Sequence, residues 1–542
     1  METFDIIIVG AGSAGCVLAE RLSADPRTSV LLIEAGPPDT SYFIHMPKGL
    51  GKLMQDPKHA WMLPAEPHEG NGGREEIWSR GKMIGGCSSI NGMTYVRGQP
   101  QDYDEWEAAG NPGWGWSRMF SAYRAIEDHA LGDDGVRGVG GPLHLSVHPS
   151  RNPVNQALID AGVALGLPRR TDYNGLEQAG IGPMICNVKD GKRISAAVAF
   201  LNPARKRPNL RVLTNTLVQR VLFEGNRAVG VECAPLAERN GPRTTYRAAR
   251  EVIVSAGAVH SPQLLQLSGI GPEKVLQAAG VPLLVDAPGV GANLREHWMG
   301  FVQYRLKQPL SVNHEFTGLR LLKNALQYML THRGVMSTGS HEVTGFVPTE
   351  PGNPRPDAQI IAAPFSWAMD GQLDKFAFDP EHGVQMMGYP LRSESRGEIG
   401  IRTDSAFDAP RIVPNYLSAD YDKAVTVRIW RFMRKLFEQD ALKPLIAHET
   451  YPGPSVQSDA EILDYFRQYG TLGYHSSCTC RMGPDAQSVV DARLRVRGVH
   501  GLRVVDTSVF PTMMSGNTNG AAMAGAWLAA GLIAEDLRAE AA

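Results

Sequence analysis

Short apolar runs broken by glycine set the rhythm of this chain. Residues 4–9 (Phe-Asp-Ile-Ile-Ile-Val) predict a buried strand, and residues 30–33 (Val-Leu-Leu-Ile) predict a second, with a helix between them at 14–22. Residues 209–213, 217–223 and 228–233 alternate or run apolar and read as strands, with turns at Thr214-Asn215 and Glu224-Gly225-Asn226. Residues 251–254 predict another buried strand, then a small-residue turn and a helix. Ser261 is the expected N-cap of that helix, Pro262 lies in its first turn, and Gly269 ends it. Strand–glycine–helix units at both ends of this region predict a doubly wound α/β sheet.

Residues 103–127 read as one helix with Trp106, Trp116, Phe120 and Tyr123 on an apolar face; 153–166 read as another, and 132–141 as a turn-rich loop. From about residue 300 the pattern changes. Strand-like stretches at 301–306, 359–363 and 398–402 accompany a helix near 318–331. Residues 420–438 form an amphipathic helix with Val425, Ile429, Phe432 and Leu436 on one face. This predicts a second, α+β domain: an antiparallel sheet flanked by helices. The chain then returns to the first domain with a strand at 502–506 and an Ala/Gly-rich helix at 519–534 that must pack closely on something flat. The expected division is a discontinuous Rossmann-like domain with a parallel sheet (1–155, 190–300 and 470–542) and a substrate-binding domain (156–189 and 301–469).

Chemistry enters with the glycines. Gly10, Gly12 and Gly15 form G-x-G-x-x-G between the first strand and helix, and Glu34 closes the second strand. Gly10 permits the tight turn, Gly12 admits a pyrophosphate to the backbone, and Gly15 lets the helix pack on the sheet. The helix start favours negative charge, and Glu34 can accept from a ribose diol. Residues 80–98 form a glycine- and hydroxyl-rich loop whose backbone can lie against a flat ligand; Ile84, Ile90 and Met93 within it suggest burial.

Composition narrows the class. Lysine plus arginine (54) nearly balance aspartate plus glutamate (56), which gives no electrostatic case for nucleic acid or an anionic membrane. There is no run of about 18 apolar residues to span a bilayer and no basic and apolar leader ahead of the fingerprint. The expectation is a cytoplasmic protein, with peripheral association on the inner face of a membrane left open. Six scattered cysteines without a C-x-x-C pair read as reduced thiols. Asn313-His314-Glu315 and His341-Glu342 lack a second histidine one turn away and do not read as zinc sites.

Together these blocks, with residues 257–271, Pro288–Leu294 and residues 474–525, resemble the glucose–methanol–choline oxidoreductases, a family of FAD enzymes, over essentially the whole chain. The resemblance implies FAD as cofactor, contacted by Gly10, Gly12, Ser13, Ala14, Gly15, Glu34, Ala35, Gly85, Gly86, Ser89, Asn91, Gly92, Met93, Thr94, Val218, Ala256, Gly257, Asp506, Asn517 and Thr518. Val218 falls where members hold the adenine through backbone contacts, and Asp506 where members approach the ribityl chain. His475 corresponds to the histidine beside flavin N5 and Asn519 to its asparagine-or-histidine partner. Ile90 stands where certain choline oxidases carry a flavin-linked histidine, so attachment there is excluded and non-covalent FAD is expected. Glu296 departs from the Asn-Leu-x-Asp-His block of other members.

The chemistry agrees. Alcohol oxidation needs a base for the hydroxyl proton, which histidine suits, a hydride acceptor, which a flavin is, and a donor for the developing alkoxide, which Asn519 offers. The run Gly516-Asn517-Thr518-Asn519 reads as a helix start aimed at the flavin. The expected activity is oxidation of an alcohol, primary by preference, to the aldehyde, with O2, a quinone or an electron-carrier protein reoxidising the flavin. The alternative is a hydroxynitrile lyase, which shares this fold and keeps FAD without net redox chemistry.

Overall fold

A computed structural model of the chain describes residues 1–149, 151–369 and 377–541. Its first large sheet has the order Leu210–Leu213, Val30–Ile33, Glu2–Val9, Thr244–Val254, Arg227–Pro235, Thr216–Glu224, with Leu502–Val504 paired to Thr244–Val254. The first four strands and Leu502–Val504 pair in parallel; the last three of the order form an antiparallel meander. The sheet is thus mixed, because the connections within the meander, 225–226 and 236–243, are too short for a parallel crossover. Ile6, Ile7, Ile8 and all of Val30–Ile33 are buried, as expected of strands covered on both faces.

The fingerprint helix, Ser13–Leu22, packs against the C-terminal helix, Asn519–Ala541. Small side chains on both, such as Ala14, Ala19, Ala521 and Ala524, let them approach closely and become buried together.

Two local expectations are corrected. Residues 103–127 are not one helix but two, Pro100–Ala108 and Trp116–Ile126. Gly110 (φ +93°) and Gly113 (φ +86°) take left-handed conformations between them, and Pro112 joins them in ending the ladder. Nor does Ser261 cap a helix. The helix begins four residues earlier, as Gly257–Leu267, and Pro262 lies inside it. Pro262 has no N–H for the carbonyl of Ala258; Thr479 Oγ1 donates to that carbonyl instead, at 2.6 Å.

The second large sheet is antiparallel, in the order Ile446–Tyr451, Trp298–Leu306, Gly383–Pro390, Ala358–Ala363, Val343–Val347, Gly180–Pro183, with Thr471–Leu472 paired to the start of Trp298–Leu306. Residues 398–402 do not join it; Glu398–Gly400 pairs with Arg411–Val413 in a separate two-stranded ribbon. Helices Pro153–Ala164 and Asp420–Phe437 cover one face, where Leu158, Val425, Ile429 and Leu436 share a core with Val302, Ile360 and Met386. The period of two along each strand turns Met299, Ile361, Met387 and Tyr389 to the other face, toward the first sheet.

Candidate active site

Between the sheets lies a cavity of about 460 Å³, walled by Val9, Gly12 and Glu34 from one side and Met299, Ile361 and Met387 from the other. Of the anticipated residues, Gly10, Gly12, Ser13, Ala14, Glu34, Ala35, Gly86, Asn91, Gly92, Met93, Thr94, Val218, Ala256, Gly257, His475, Asp506, Asn517, Thr518 and Asn519 are on its wall. Gly15, Gly85 and Ser89 lie behind it. A Cβ on Gly15 would meet the Gly10 carbonyl oxygen at 1.9 Å, so this glycine serves the close packing of helix on turn. Ser89 Oγ donates to the Ile84 carbonyl, at 2.9 Å, within the loop.

The wall suits FAD. The fingerprint helix starts at Gly12 without a side-chain cap, so its first N–H groups remain as donors, and a Cβ at Gly12 would find its nearest atom 4.0 Å away. Glu34 is buried at the end of its strand; its oxygens accept from Ala11 N and Gly36 N, both at 2.9 Å. Burial pushes its carboxyl up to about 7. Val218 lies on the edge strand Thr216–Glu224. The C-terminal helix also begins at the cavity, where Asn519 Oδ1 accepts from Ser13 Oγ at 2.7 Å. Two positive helix ends are thereby tied together where an anionic ligand would lie. Asp506 braces this floor, accepting from Gly257 N (2.8 Å), Ser261 Oγ (2.5 Å) and Ser508 N (2.8 Å).

His475 sits on a left-handed corner. The segment around it runs antiparallel to residues 295–297, with Arg295 and Ser477 exchanging backbone bonds and Gly473 N donating to the His297 carbonyl. Tyr474, at φ +61°, turns the chain, and Arg80 Nη1 donates to its carbonyl at 3.2 Å. Such a conformation in a non-glycine residue costs of order 1 kcal/mol and is held by its surroundings. Glu296 explains its own departure from the family block. Its buried carboxylate accepts from the backbone N–H of His475 (2.6 Å), that of His297 (2.9 Å) and Ser476 Oγ (2.7 Å). It anchors both histidines.

The hydrogen bonds determine where the imidazole protons are. Leu391 O can only accept, so His297 Nε2, 2.8 Å away, carries a proton. Burial pushes the His297 pKa down to about 4, so the ring is neutral and its Nδ1 is bare. That atom lies 2.9 Å from His475 Nδ1, which must therefore be the donor. Burial first, then the fields of His297 and Arg80, hold His475 well below the usual histidine range. Neutral and protonated on Nδ1, His475 presents an unprotonated Nε2 that can accept a proton.

The amide facing that nitrogen belongs to Asn517, not Asn519: Asn517 Nδ2 lies 2.9 Å from His475 Nε2. Its orientation is set from behind. Tyr389 OH donates to Gln359 Oε1 (2.5 Å), which turns Gln359 Nε2 toward Asn517 Oδ1 (3.3 Å) and leaves the Asn517 amide nitrogen toward the histidine. Sequence reasoning missed this network, and it missed Arg193. The buried Arg193 guanidinium pins the glycine-rich loop, donating to Ser88 O (3.2 Å), Asn91 O (2.7 Å), Asn91 Oδ1 (2.8 Å) and Ile44 O (2.9 Å). No local pattern marks either one.

A family model described as GMC oxidoreductase matches residues 4–299, and its C-terminal counterpart matches residues 393–526. An oxygen-dependent choline dehydrogenase of Vibrio vulnificus (strain YJ016) is 42% identical over 536 residues, covering 98% of this chain and 94% of the relative. The human mitochondrial choline dehydrogenase is 40% identical over 527 residues, covering 96% and 87%. Among solved structures, pyridoxine 4-oxidase from Mesorbium loti has a TM-score of 0.88 at 33% identity, covering 98% of this chain and 99% of that one. A formate oxidase from Aspergillus oryzae RIB40 has a TM-score of 0.91 at 25% identity, covering 99% and 98%.

Proposed function

The chain belongs to the GMC oxidoreductase family and is an FAD-dependent oxidoreductase acting on CH–OH groups, and from that premise we propose that His475 Nε2 takes the hydroxyl proton while Asn517 Nδ2 holds the oxygen. The carrying observation is the 2.9 Å contact between these two atoms on the cavity wall. An alcohol entering between them exchanges this one bond for two: its hydroxyl donates to the unprotonated Nε2, and its oxygen accepts from the amide. Bound FAD supplies the acceptor for the hydride from the carbinol carbon. The amide bond strengthens as negative charge develops on oxygen, which is the condition for a catalytic contribution. Asn519, turned to Ser13, belongs in this reading to the cofactor cradle with the fingerprint glycines, Glu34 and Val218.

The surrounding wall suggests the substrate class. Met299, Ile361, Met387, Leu472, Trp61 and Trp367 present apolar and aromatic surface. Trp61 is poorly placed to receive a cation, because Lys82 Nζ already lies 4.9 Å from its ring centre and the His260 ring, tilted by 43°, lies 5.0 Å away. The reading is a neutral primary alcohol on an apolar or aromatic body, oxidised to the aldehyde, in preference to the choline of the relatives' names. The relatives' oxygen-dependent names support O2 as electron acceptor, and their redox activities favour oxidation over the lyase alternative. The two sheets support the division into an FAD-binding part (1–155, 190–300, 470–542) and a substrate-binding part (156–189, 301–469), although the strand Trp298–Leu306 straddles residue 300.

The test is anaerobic mixing with a panel of alcohols that includes choline, aromatic and aliphatic primary alcohols, followed by air. Bleaching by the neutral alcohols and rapid recovery in air is the expected result. Bleaching by choline alone rejects the substrate reading, and no recovery in air rejects O2.

A further inference from the structure

The helix Gly318–Thr331 carries its apolar stripe outward. Leu319, Leu322, Leu326, Met329 and Leu330 fall within an arc of about 100° at 3.6 residues per turn. They are 85, 66, 55, 61 and 75% exposed. The side turned to the protein is held by Tyr328, packed with Met46 and Met336, and by polar anchors. Asn324 Nδ2 donates to the Glu315 carbonyl (3.0 Å) and to its Oε2 (2.8 Å), and Tyr328 OH donates to Gly191 O (2.9 Å). These bonds fix the rotation of the helix, so the stripe cannot roll inward. A helix on the surface of a globular protein is normally turned the other way, and five adjacent large side chains are more than the scattered exposure of an ordinary surface.

Charge indicates what covers the stripe. No acidic residue occurs between Glu315 and Glu342, whereas Arg320, Lys323 and Arg333 do. Arg320 is paired with Glu315 at 3.1 Å, which leaves Lys323 and Arg333 as the cations at the edge. Lys52 adds a third cation on the segment packed under the helix: its Nζ lies 4.2 Å from the Phe43 ring centre, and Tyr42 next to Phe43 meets Tyr328 edge-on. The chain as a whole is nearly neutral, so this is a local property. A second copy of the chain would bring the same cations together. An anionic bilayer complements both features, taking the apolar face among its acyl chains and the cations at its headgroups.

The place is also suited. The segment under the helix continues into Leu50, Gly51, Met54 and Gln55 of the cavity wall, and Gly51 and Gln55 are exposed, so the cavity reaches the surface beside the patch. We propose that the helix Gly318–Thr331 docks this protein on an anionic lipid surface, with Leu322 and Leu326 inserted and Lys323 and Arg333 at the headgroups, next to the opening of the alcohol cavity.

The test is flotation of the FAD-loaded protein with phosphatidylcholine vesicles with and without phosphatidylglycerol, at low salt. The expected result is co-flotation with the phosphatidylglycerol vesicles. Leu322→Gln with Leu326→Gln should lower the partition coefficient about 10-fold or more, and Lys323→Gln with Arg333→Gln about 10-fold. FAD content and turnover of a water-soluble alcohol should stay normal in both variants. Equal partition of wild type and the leucine variant, or wild type that floats with neither vesicle, overturns the proposal. A wild-type dimer that the leucine variant converts to monomer, without vesicle binding, assigns the face to a second copy and likewise overturns it.

Discussion

His297 Nδ1 and His475 Nδ1 lie 2.9 Å apart, and the carbonyl of Leu391 decides which of them carries the proton. One acceptor-only oxygen, two residues removed from the reacting atom, thus makes His475 Nε2 a base. Removing the bare Nδ1 of residue 297 frees the His475 ring to rotate or change tautomer. His297→Phe should lower the rate of flavin reduction by about 10²-fold or more with FAD retained. His297→Asn, which keeps an acceptor near the Nδ1 position, should retain more. Anaerobic stopped-flow reduction across pH checks this; equal rates in the two variants would remove the tautomer argument.

The two asparagines at the start of the C-terminal helix should part company. Asn517→Ala removes the donor at His475 Nε2, and the reduction rate should fall by about 10²–10³-fold at normal FAD content. Asn519→Ala breaks the bond to Ser13 Oγ that joins two helix starts. Its main effect should be easier loss of FAD, measured as the flavin-to-protein ratio after gel filtration. The opposite assignment of the two effects would restore Asn519 as the partner of the base.

Purified protein should be yellow and release all its FAD on acid precipitation. Ile90, buried on the cavity wall, has no atom able to form a bond to the flavin. Colour left in the washed pellet would contradict this and direct attention to Cys87, which shares that wall.

FAD affinity should rise with pH through neutrality. Burial holds the free Glu34 carboxyl near 7, so about half of it is protonated there. A ribose diol donating to Glu34 favours the carboxylate and lowers that value, so binding releases a proton. By linkage, affinity is full above pH 7 and falls as pH drops below it, by up to about 10-fold per unit. Titration of apoprotein with FAD between pH 6 and 8 measures the slope. Glu34→Gln should flatten it, and a wild-type curve without slope would show that Glu34 does not meet the ribose.

What the sequence determined by itself is local. The glycine fingerprint, the buried strands at 6–9 and 30–33 and the helix at 318–331 follow from periodicity and steric needs within a few residues. His475 and Glu34 were legible because each stands in a pattern of neighbours. The tertiary structure decided the relations between distant segments. Asn517 and Asn519 stand two residues apart at one helix start, and both are plausible donors by type. Which of them faces the histidine depends on how that start is rotated by Ser13, 506 positions earlier. The proton on His475 depends on a ring 178 positions away. The break between Ala108 and Trp116 was within reach of the glycines alone, whereas the inward start at Gly257 needed Thr479 to occupy the carbonyl that Pro262 leaves unbonded. The same limit applies to the helix at 318–331: its stripe is visible in the sequence, but only the bonds of Asn324 and Tyr328 show that it faces outward. Periodicity specifies that a face exists; the direction it points is set by contacts with segments that the periodicity does not contain.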